Sequence, residues 1–351
     1  MSSPVLLLLI ASLLPPVFLL TPELGRTTEV LYIANSGGDD VNVVEVPGHR
    51  VIGNIKVGKH DADGLAASRT GDRLYVTVVD PASVVAIDTA TDKVLWRVPV
   101  SPRPNLPSVS GDGRYVYVPI FSSDHVEVID TQKQSVVAKI RVGSHPHNTI
   151  ANSDGKRIYA TAALQNQVVV IDVATQKITE IIPCGDQVRP IAVTRDEKRM
   201  YVQFSGLHGV AIADLTHRDE ADPFIGKIVE TIHHPALAEG VKPAVHNTLS
   251  HGLALSPDEK YLGSVSVVAD HVAFFSVPDH KLVTTVAVGK APRWITFSSD
   301  GKFAYVSNTG SNDVSAISME TLQEVVRIPA GKEPKRILTV VVPNRQVSKA
   351  N

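Results

Sequence analysis

The chain has 351 residues, of which 43% are hydrophobic, and a formal net charge of −2. This length is ample for a large hydrophobic core, and the near-neutral charge argues against a nucleic-acid partner. The single cysteine, Cys184, excludes an internal disulfide, a cysteine-based zinc motif and a CxxCH site for covalent c-type haem. Abundant valine and isoleucine, with 23 glycines and 23 prolines, indicate a β-rich chain.

An uninterrupted apolar run, VLLLLIASLLPPVFLL, occupies residues 5–20 near the start of the chain. It is short for a membrane span and contains Pro15 and Pro16, so residues 1–27 are interpreted as a signal peptide. An uncleaved N-terminal anchor is the alternative interpretation. We therefore expect export to the periplasm or the cell exterior, with membrane contact only through this segment if it stays attached.

A repeat of about 42 residues occupies most of the remaining sequence. A tyrosine opens β-type runs such as LYVTVVDPASVVAID, and a seventh copy carries Gly263 in its place. Each unit reads as four short strands separated by turns, which is typical of a propeller blade. The repeated tyrosines are interpreted as core residues between blades, and they are Tyr32, Tyr75, Tyr117, Tyr159, Tyr201 and Tyr305.

The two ends of the chain complete each other. Residues 29–57 hold three strands without an inner strand, and KRILTVVV near the C-terminus is an inner strand without the other three. Pairing the two fragments would close the ring and remove exposed edges. The sequence therefore predicts an all-β, seven-bladed propeller with four-stranded blades over residues 28–343, followed by a polar tail at 344–351. The inner strands are expected to begin near Gly64, Leu106, Asn148, Pro190, Gly252, Trp294 and Arg336.

These units resemble the YVTN-type β-propeller repeats, most closely at residues 75–78 (YVTV) and 305–308 (YVSN). The resemblance covers nearly the whole chain after the apolar run. It implies a propeller fold, which occurs in exported binding proteins, lactonase-like enzymes and haem d1-binding domains. The fold alone does not choose among these functions.

Seven polar residues precede the inner strands at a constant offset, so a propeller would place them around one mouth of its central channel. Five of the seven can carry positive charge, and arginine grips carboxylates or phosphates in a bidentate manner. We predict a small anionic ligand here, with a solvated rim as the alternative, and Trp294 either stacks on the ligand or packs in the core. The ring consists of Asp63, Asn105, His147, Arg189, His251, Arg293 and Lys335.

The fourth unit carries extra residues around 216–226 and 233–251, and the second addition enters the same face. It brings His233, His234 and His246 towards His251, so a transition-metal site that draws three ligands from this cluster is a weaker hypothesis. Its candidate ligands for zinc, copper or iron are His145, His147, His246 and His251.

Three functions remain open from the sequence. We prefer an exported binding or scaffold protein, acting as a monomer on a small anionic ligand or another exported protein, because GxSxG, P-loop and HExxH motifs are absent. The second is an enzyme of the lactonase or cycloisomerase kind. The third is a redox-associated propeller that binds a haem d1-type cofactor or a metal through His147 or His251.

The lactonase interpretation rests on three blade entries. HPHNTIANSDGKRIYA, VRPIAVTRDEKRMYV and APRWITFSSDGKFAYVSN resemble those of lactonase-like propellers. The resemblance implies that His147 moves a proton, as the candidate catalytic residue, while Arg189 and Arg293 hold a substrate carboxylate. The sequence departs from this pattern at Gln203 and Ser205, where an acidic residue is expected.

Overall fold

The computed structural model describes residues 27–216, 226–242 and 248–345. Over these ranges 28 strands form seven four-stranded antiparallel sheets, and a 3-10 turn occupies Ala163–Gln165. Each sheet is one blade, numbered from 1 in chain order of its inner strand. The predicted all-β, seven-bladed architecture is confirmed.

The strand bounds follow the repeat. Blade 1 comprises β4 His60–Ala67, β5 Arg73–Asp80, β6 Ser83–Asp88 and β7 Lys93–Pro99, and blade 2 comprises β8 Ser108–Val109, β9 Tyr115–Pro119, β10 His125–Asp130 and β11 Ser135–Arg141. Blade 3 comprises β12 Pro146–Ala151, β13 Arg157–Ala162, β14 Gln167–Asp172 and β15 Lys177–Pro183. Blade 4 comprises β16 Val188–Val193, β17 Arg199–Phe204, β18 Gly209–Asp214 and β19 Lys227–His233. Blade 5 comprises β20 Ser250–Leu255, β21 Tyr261–Ser266, β22 His271–Ser276 and β23 Leu282–Ala287. Blade 6 comprises β24 Pro292–Phe297, β25 Phe303–Asn308, β26 Asp313–Ser318 and β27 Gln323–Pro329. Blade 7 comprises β28 Pro334–Pro343, β1 Thr27–Asn35, β2 Asp40–Glu45 and β3 Arg50–Lys56.

Blade 7 joins the two ends of the described chain, as predicted. Strand β1 pairs antiparallel with β28 from Thr27 opposite Pro343 to Asn35 opposite Pro334. The inner strands contact one another in a closed circuit, β4–β8–β12–β16–β20–β24–β28 and back to β4. The ring is therefore closed, and every blade packs between two neighbouring blades.

Blade packing explains why the middle strands read as continuous apolar runs. Strands such as β14 (QVVVID) are buried on both faces, whereas outer strands such as β11 alternate exposed and partly buried positions. The repeated tyrosines are buried, and Tyr159 lies in the cluster that joins blades 3 and 4. At the seventh copy, a Cβ on Gly263 would lie 2.4 Å from Ile295 Cδ1 of the next blade, so glycine makes room for that side chain.

The inner strands do not begin where the sequence predicts. Most start two to four residues earlier, because a first pairing precedes a β-bulge: Pro146 pairs with Ala162, and regular pairing resumes only at Thr149 with Ala160. Strand β8 is the opposite case, because it begins two residues later, at Ser108. The repeat period reveals the strand but not the bulge within it.

The described residues stop short of both chain ends. Residues 1–26, which hold nearly all of the predicted signal segment, are outside the described ranges, as are 346–351 of the predicted tail. Arg345 of that tail is buried, and it donates hydrogen bonds of 2.7 and 2.6 Å to the carboxylate of Asp92 in blade 1. None of the described residues forms a helix long and apolar enough to cross a membrane.

Candidate functional site

All seven predicted ring residues line one cavity of about 450 Å³ at the mouth of the channel. Four of them expose no more than 5% of their surface, and Arg189 exposes 9%. Trp294 does not line this cavity. It packs in the core behind the ring, with its ring centroid 3.9 Å from Arg336 Cζ. The four most buried ring members are Asp63, His147, His251 and Arg293.

β-bulges explain why the ring residues point out of the sheet. The register of the inner strands shifts at the ring position, for example between Ser250 and Leu253 in β20 and between Val188 and Ile191 in β16. A bulge leaves its extra residue out of the hydrogen-bond ladder and re-aims nearby side chains. Gly252, within the β20 bulge, has a φ of +95°, and a Cβ there would lie 2.6 Å from the carbonyl oxygen of Arg293.

Arg336 is a buried neighbour of the ring that the ring pattern missed, although it does not line the cavity. It follows Lys335 by one position, yet its side chain is only 1% exposed and reaches the same charge cluster. It donates a hydrogen bond of 3.2 Å to Asn105 Oδ1. The sequence contains a signal for Arg336, because PKR at 334–336 occupies the position in the repeat that PRW occupies at 292–294. The predicted ring, however, takes only one residue from each blade.

Two acidic residues of blade 1 lie among these cations. Burial would raise the pKa of Asp63, but the charges of Lys335 and Arg336 outweigh burial and hold the pKa below its usual value. Lys335 Nζ lies 2.9 Å from Asp63 Oδ1. Asp61 shows the opposite shift: burial, and then the charge of Asp63, raise its pKa to about 6.

The cationic side chains are not fully paired. Burial lowers the pKa of Arg293 to about 10 and that of Arg336 to about 10, so water solvates neither guanidinium well. Arg293 Nη1 and Arg336 Nη1 are buried and have no hydrogen-bond partner among the described residues. Arg189 Nε does have one, because it donates to Ser205 Oγ at 2.7 Å. Buried donors left unpaired are costly, so the arrangement favours an acceptor that enters the cavity.

The two ring histidines are held neutral. Burial lowers the pKa of His147 well below 6.5, and the charges of Arg336 and Arg189 lower it further. The pKa of His251 is lowered in the same way by burial and by Arg336 and Arg293. His251 Nδ1 donates to the carbonyl oxygen of Arg293 at 3.1 Å, whereas His147 Nδ1 has no partner among the described residues. His147 is therefore a neutral imidazole in the wall of the cavity.

A second ring, two residues before the first, was not noticed in the sequence. In five blades this position has a left-handed backbone, with φ between 47° and 61°. Three members also line the cavity, including Asp61 and the exposed Glu333. Arg103 lies 5.0 Å over the ring of Phe121, against which His145 also packs. The five left-handed members are Asp61, Arg103, His145, Ala291 and Glu333.

The predicted metal ligands are only partly brought together. The His147 and His251 ring centroids are 5.5 Å apart, His145 packs edge-on against Phe121 at 5.0 Å, and His246 lies outside the described residues. The arginines that lower the pKa of His147 and His251 also oppose a bound cation. This part of the site therefore suits an anion better than a metal ion.

Sequence comparison supplies the family. Residues 135–336 match the family described as "Lactonase, 7-bladed beta-propeller", which is more than half of the chain. The chain belongs to this lactonase family. The matched region contains His147, Arg189 and Arg293, the three residues carried over from the lactonase-like blade entries. Gln203 and Ser205, which replace the expected acid, serve other contacts: Gln203 Nε2 donates to Ser264 Oγ at 2.9 Å, and Ser205 accepts from Arg189.

Individual relatives match less of the chain or at lower identity. An uncharacterized protein of Staphylococcus saprophyticus is 32% identical over 123 residues, which span 33% of this chain and 35% of that protein. The solved periplasmic gluconolactonase of Pseudomonas aeruginosa has a TM-score of 0.72 at 18% identity, covering 90% of this chain and all of that one. A dihydro-heme d1 dehydrogenase has a TM-score of 0.62 at 13% identity, covering 86% and 63%. At these identities the two solved structures show the shared fold.

Proposed function

We propose that this member of the lactonase family hydrolyses a small lactone in the channel-mouth cavity. The observation that carries the proposal is a cavity lined by Arg189, Arg293 and Lys335, in which the buried Nη1 of Arg293 lacks a hydrogen-bond partner among the described residues. A neutral lactone gains negative charge when water attacks its carbonyl, and its hydroxy-acid product is a carboxylate. Such a cavity therefore binds the transition state and product more strongly than the substrate, which is the requirement for catalysis.

The residues divide into two roles. Water attacks the carbonyl carbon while the His147 imidazole takes the water proton, and Arg189 and Arg293, which line the cavity, stabilise the oxyanion that forms. The ring C–O bond then breaks, and the imidazolium returns the proton to the leaving oxygen. Atoms and charge balance, because lactone and water yield a hydroxy-carboxylic acid that ionises in the cavity.

The low pKa of His147 fits this cycle only with an anion present. In the ligand-free cavity, burial, Arg336 and Arg189 disfavour a protonated imidazole. A developing oxyanion offsets those positive charges and raises the pKa of His147 towards the range of a useful base. His147 is thus neutral before the reaction and accepts a proton as the substrate becomes negative.

The relatives suggest a substrate class and a location. The solved gluconolactonase of Pseudomonas aeruginosa is named for its substrate and for the periplasm, so we include aldonolactones in the proposed substrates and export in the proposed location. The apolar run at residues 5–20 supports export. Cell fractionation with a tag at the C-terminus tests the location, and recovery in the cytosol would contradict it.

A non-catalytic anion-binding function is supported by the same unpaired guanidinium group, and it predicts binding of carboxylates without turnover. The haem d1-type alternative predicts a Soret-region band in the purified protein. An absorption spectrum and a carboxylate-binding assay therefore separate both alternatives from the lactonase proposal.

The decisive experiment follows hydrolysis of glucono-1,5-lactone and of muconolactone by acid release at constant pH. We expect turnover above the uncatalysed rate and a loss of roughly 100-fold or more in kcat for His147→Gln. The matched control is His145→Gln, which should retain most activity. His145 is two residues from His147 and packs on Phe121, but His145 does not line the cavity. Equal rates for the wild type, His147→Gln and buffer would overturn the catalytic proposal and leave the binding function.

A further inference from the structure

A second histidine cluster lies away from the channel-mouth cavity, between blades 4 and 5. His208 precedes strand β18, His234 directly follows β19, and His271 is the first residue of β22. One potential ligand atom from each histidine lies within 4.8 Å of the other two. His234 is 4% exposed, and the other two are partly buried. Of the three, only His234 was among the histidines that the sequence suggested as metal ligands, and it was expected to act with the channel-mouth histidines instead.

The distances within the cluster are close to those of a metal site. His234 Nδ1 and His271 Nε2 are 3.0 Å apart. Two nitrogens bound to one tetrahedral zinc ion, each at about 2.0–2.1 Å, lie roughly 3.3 Å apart. A ligand atom of His208 lies within 4.8 Å of those of His234 and His271, but the rings of His208 and His234 stack with centroids 4.7 Å apart, so His208 must tilt out of this stack to supply a third nitrogen.

Buried serines orient two of the rings from behind. His234 Nε2 is 2.8 Å from Ser264 Oγ, so its Nδ1 is the nitrogen that faces the cluster. His208 Nε2 is 2.8 Å from Ser266 Oγ. Both serines are on β21 and are fully buried. Hydrogen bonds to the outer nitrogen are the usual way in which proteins fix a histidine ligand.

We propose that His208, His234 and His271 bind one divalent transition-metal ion, with zinc as the expected species. Three neutral imidazoles leave a fourth position open for water. The ion replaces the hydrogen bond between His234 Nδ1 and His271 Nε2. His234 then carries its proton on Nε2 and donates a hydrogen bond to Ser264 Oγ. The site joins blade 4 to blade 5 where the inserted loop of blade 4 begins.

The test uses untagged, chelator-treated full-length chain titrated with ZnCl₂ in a calorimeter and with CoCl₂ by visible absorption. We expect one zinc ion per chain, an increase in melting temperature with zinc, and cobalt d–d bands of four-coordinate geometry. His271→Gln should lower zinc affinity by roughly 100-fold or more, since it removes a ligand but retains a polar side chain. His208→Gln, at a partly exposed position, should do the same and serves if His271→Gln folds poorly.

The matched control is His125→Gln, because His125 opens β10 of blade 2 as His271 opens β22 of blade 5. It should bind zinc as the wild type does. Absence of zinc binding by the folded wild type would overturn the proposal. Unchanged affinity in both His271→Gln and His208→Gln would also overturn it, because the bound ion would then lie elsewhere. Loss of lactone turnover in His147→Gln bears only on the proposed hydrolysis, so the two proposals fail separately.

Discussion

Asp61 and Asp63 are two residues apart and have opposite pKa shifts. Asp63 faces Lys335 and Arg336, whose charges keep it ionised despite complete burial. Asp61 is buried beside the negative charge of Asp63, so its pKa rises to about 6. One strand thus supplies a permanent anion and a carboxyl group that titrates near neutral pH.

Asp61→Asn should change how stability depends on pH. The folded-state pKa of Asp61 is above its unfolded value, so its contribution to stability is fully present below about pH 4 and is lost as pH rises through about 6. Asparagine cannot ionise. The melting temperature of the variant relative to wild type should therefore be higher at about pH 8 than at about pH 4.

Asp154→Asn is the control for this pH series, because Asp154 lies in an exposed turn and its hydrogen bond to the backbone of Lys156 lowers its pKa. The expected pH trend is reversed for Asp154, because its ionised carboxylate stabilises the fold above the unfolded-state pKa. The melting temperature of Asp154→Asn relative to wild type should therefore be lower at high pH than at low pH. Melting curves that show the same trend for both variants would contradict the assignment of Asp61.

At the scale of the strand, the inner strands show what the sequence can and cannot predict. The 42-residue period predicted seven blades, their closure and seven of the residues that line the cavity. It did not predict Arg336 or the left-handed ring of Asp61 and Arg103, because β-bulges and turn conformations change where a side chain points without changing the period. The histidine cluster between blades 4 and 5 was also missed, because its members come from three non-equivalent positions.

The last described residues hold the closing blade against blade 1. Arg345 makes two hydrogen bonds to Asp92 and one of 2.6 Å to the carbonyl oxygen of Thr89, and its side chain is 7% exposed. Arg345→Met should lower the free energy of unfolding by roughly 1–3 kcal/mol, measured in urea. A residue that belonged to a solvated tail would give no measurable change.

Arg141→Met is the matched control, because Arg141 also pairs with an aspartate, Asp124, at 2.7 Å, but is 86% exposed. Exposed pairs contribute little, so we expect a change of less than about 0.5 kcal/mol. An equal loss in both variants would mean that Arg345 acts as an ordinary surface ion pair.

At the scale of the whole molecule, closure of the ring places side chains from all seven blades in one small cavity. Each blade contributes one residue of the ring, so distant parts of the chain meet there: Asp63 of blade 1 pairs with Lys335 of blade 7. Blade packing is rigid enough to keep buried cations close together even though they repel one another. Function and stability are expected to oppose each other at this point.

Arg293 provides the most direct test of this account, because it is 3% exposed and has an unpartnered Nη1 among the described residues. The measurement is calorimetric titration of gluconate, the product of glucono-lactone hydrolysis, into the wild type and Arg293→Met, with a melting curve for each. We predict an affinity roughly 10- to 100-fold lower in the variant, because a hydrogen bond to the ligand carboxylate is lost, and a melting temperature that does not fall, because relief of the cost of burying the guanidinium offsets the lost attraction to Asp63. Equal affinities, or a variant that melts well below the wild type, would show that Arg293 serves the fold and not an anion.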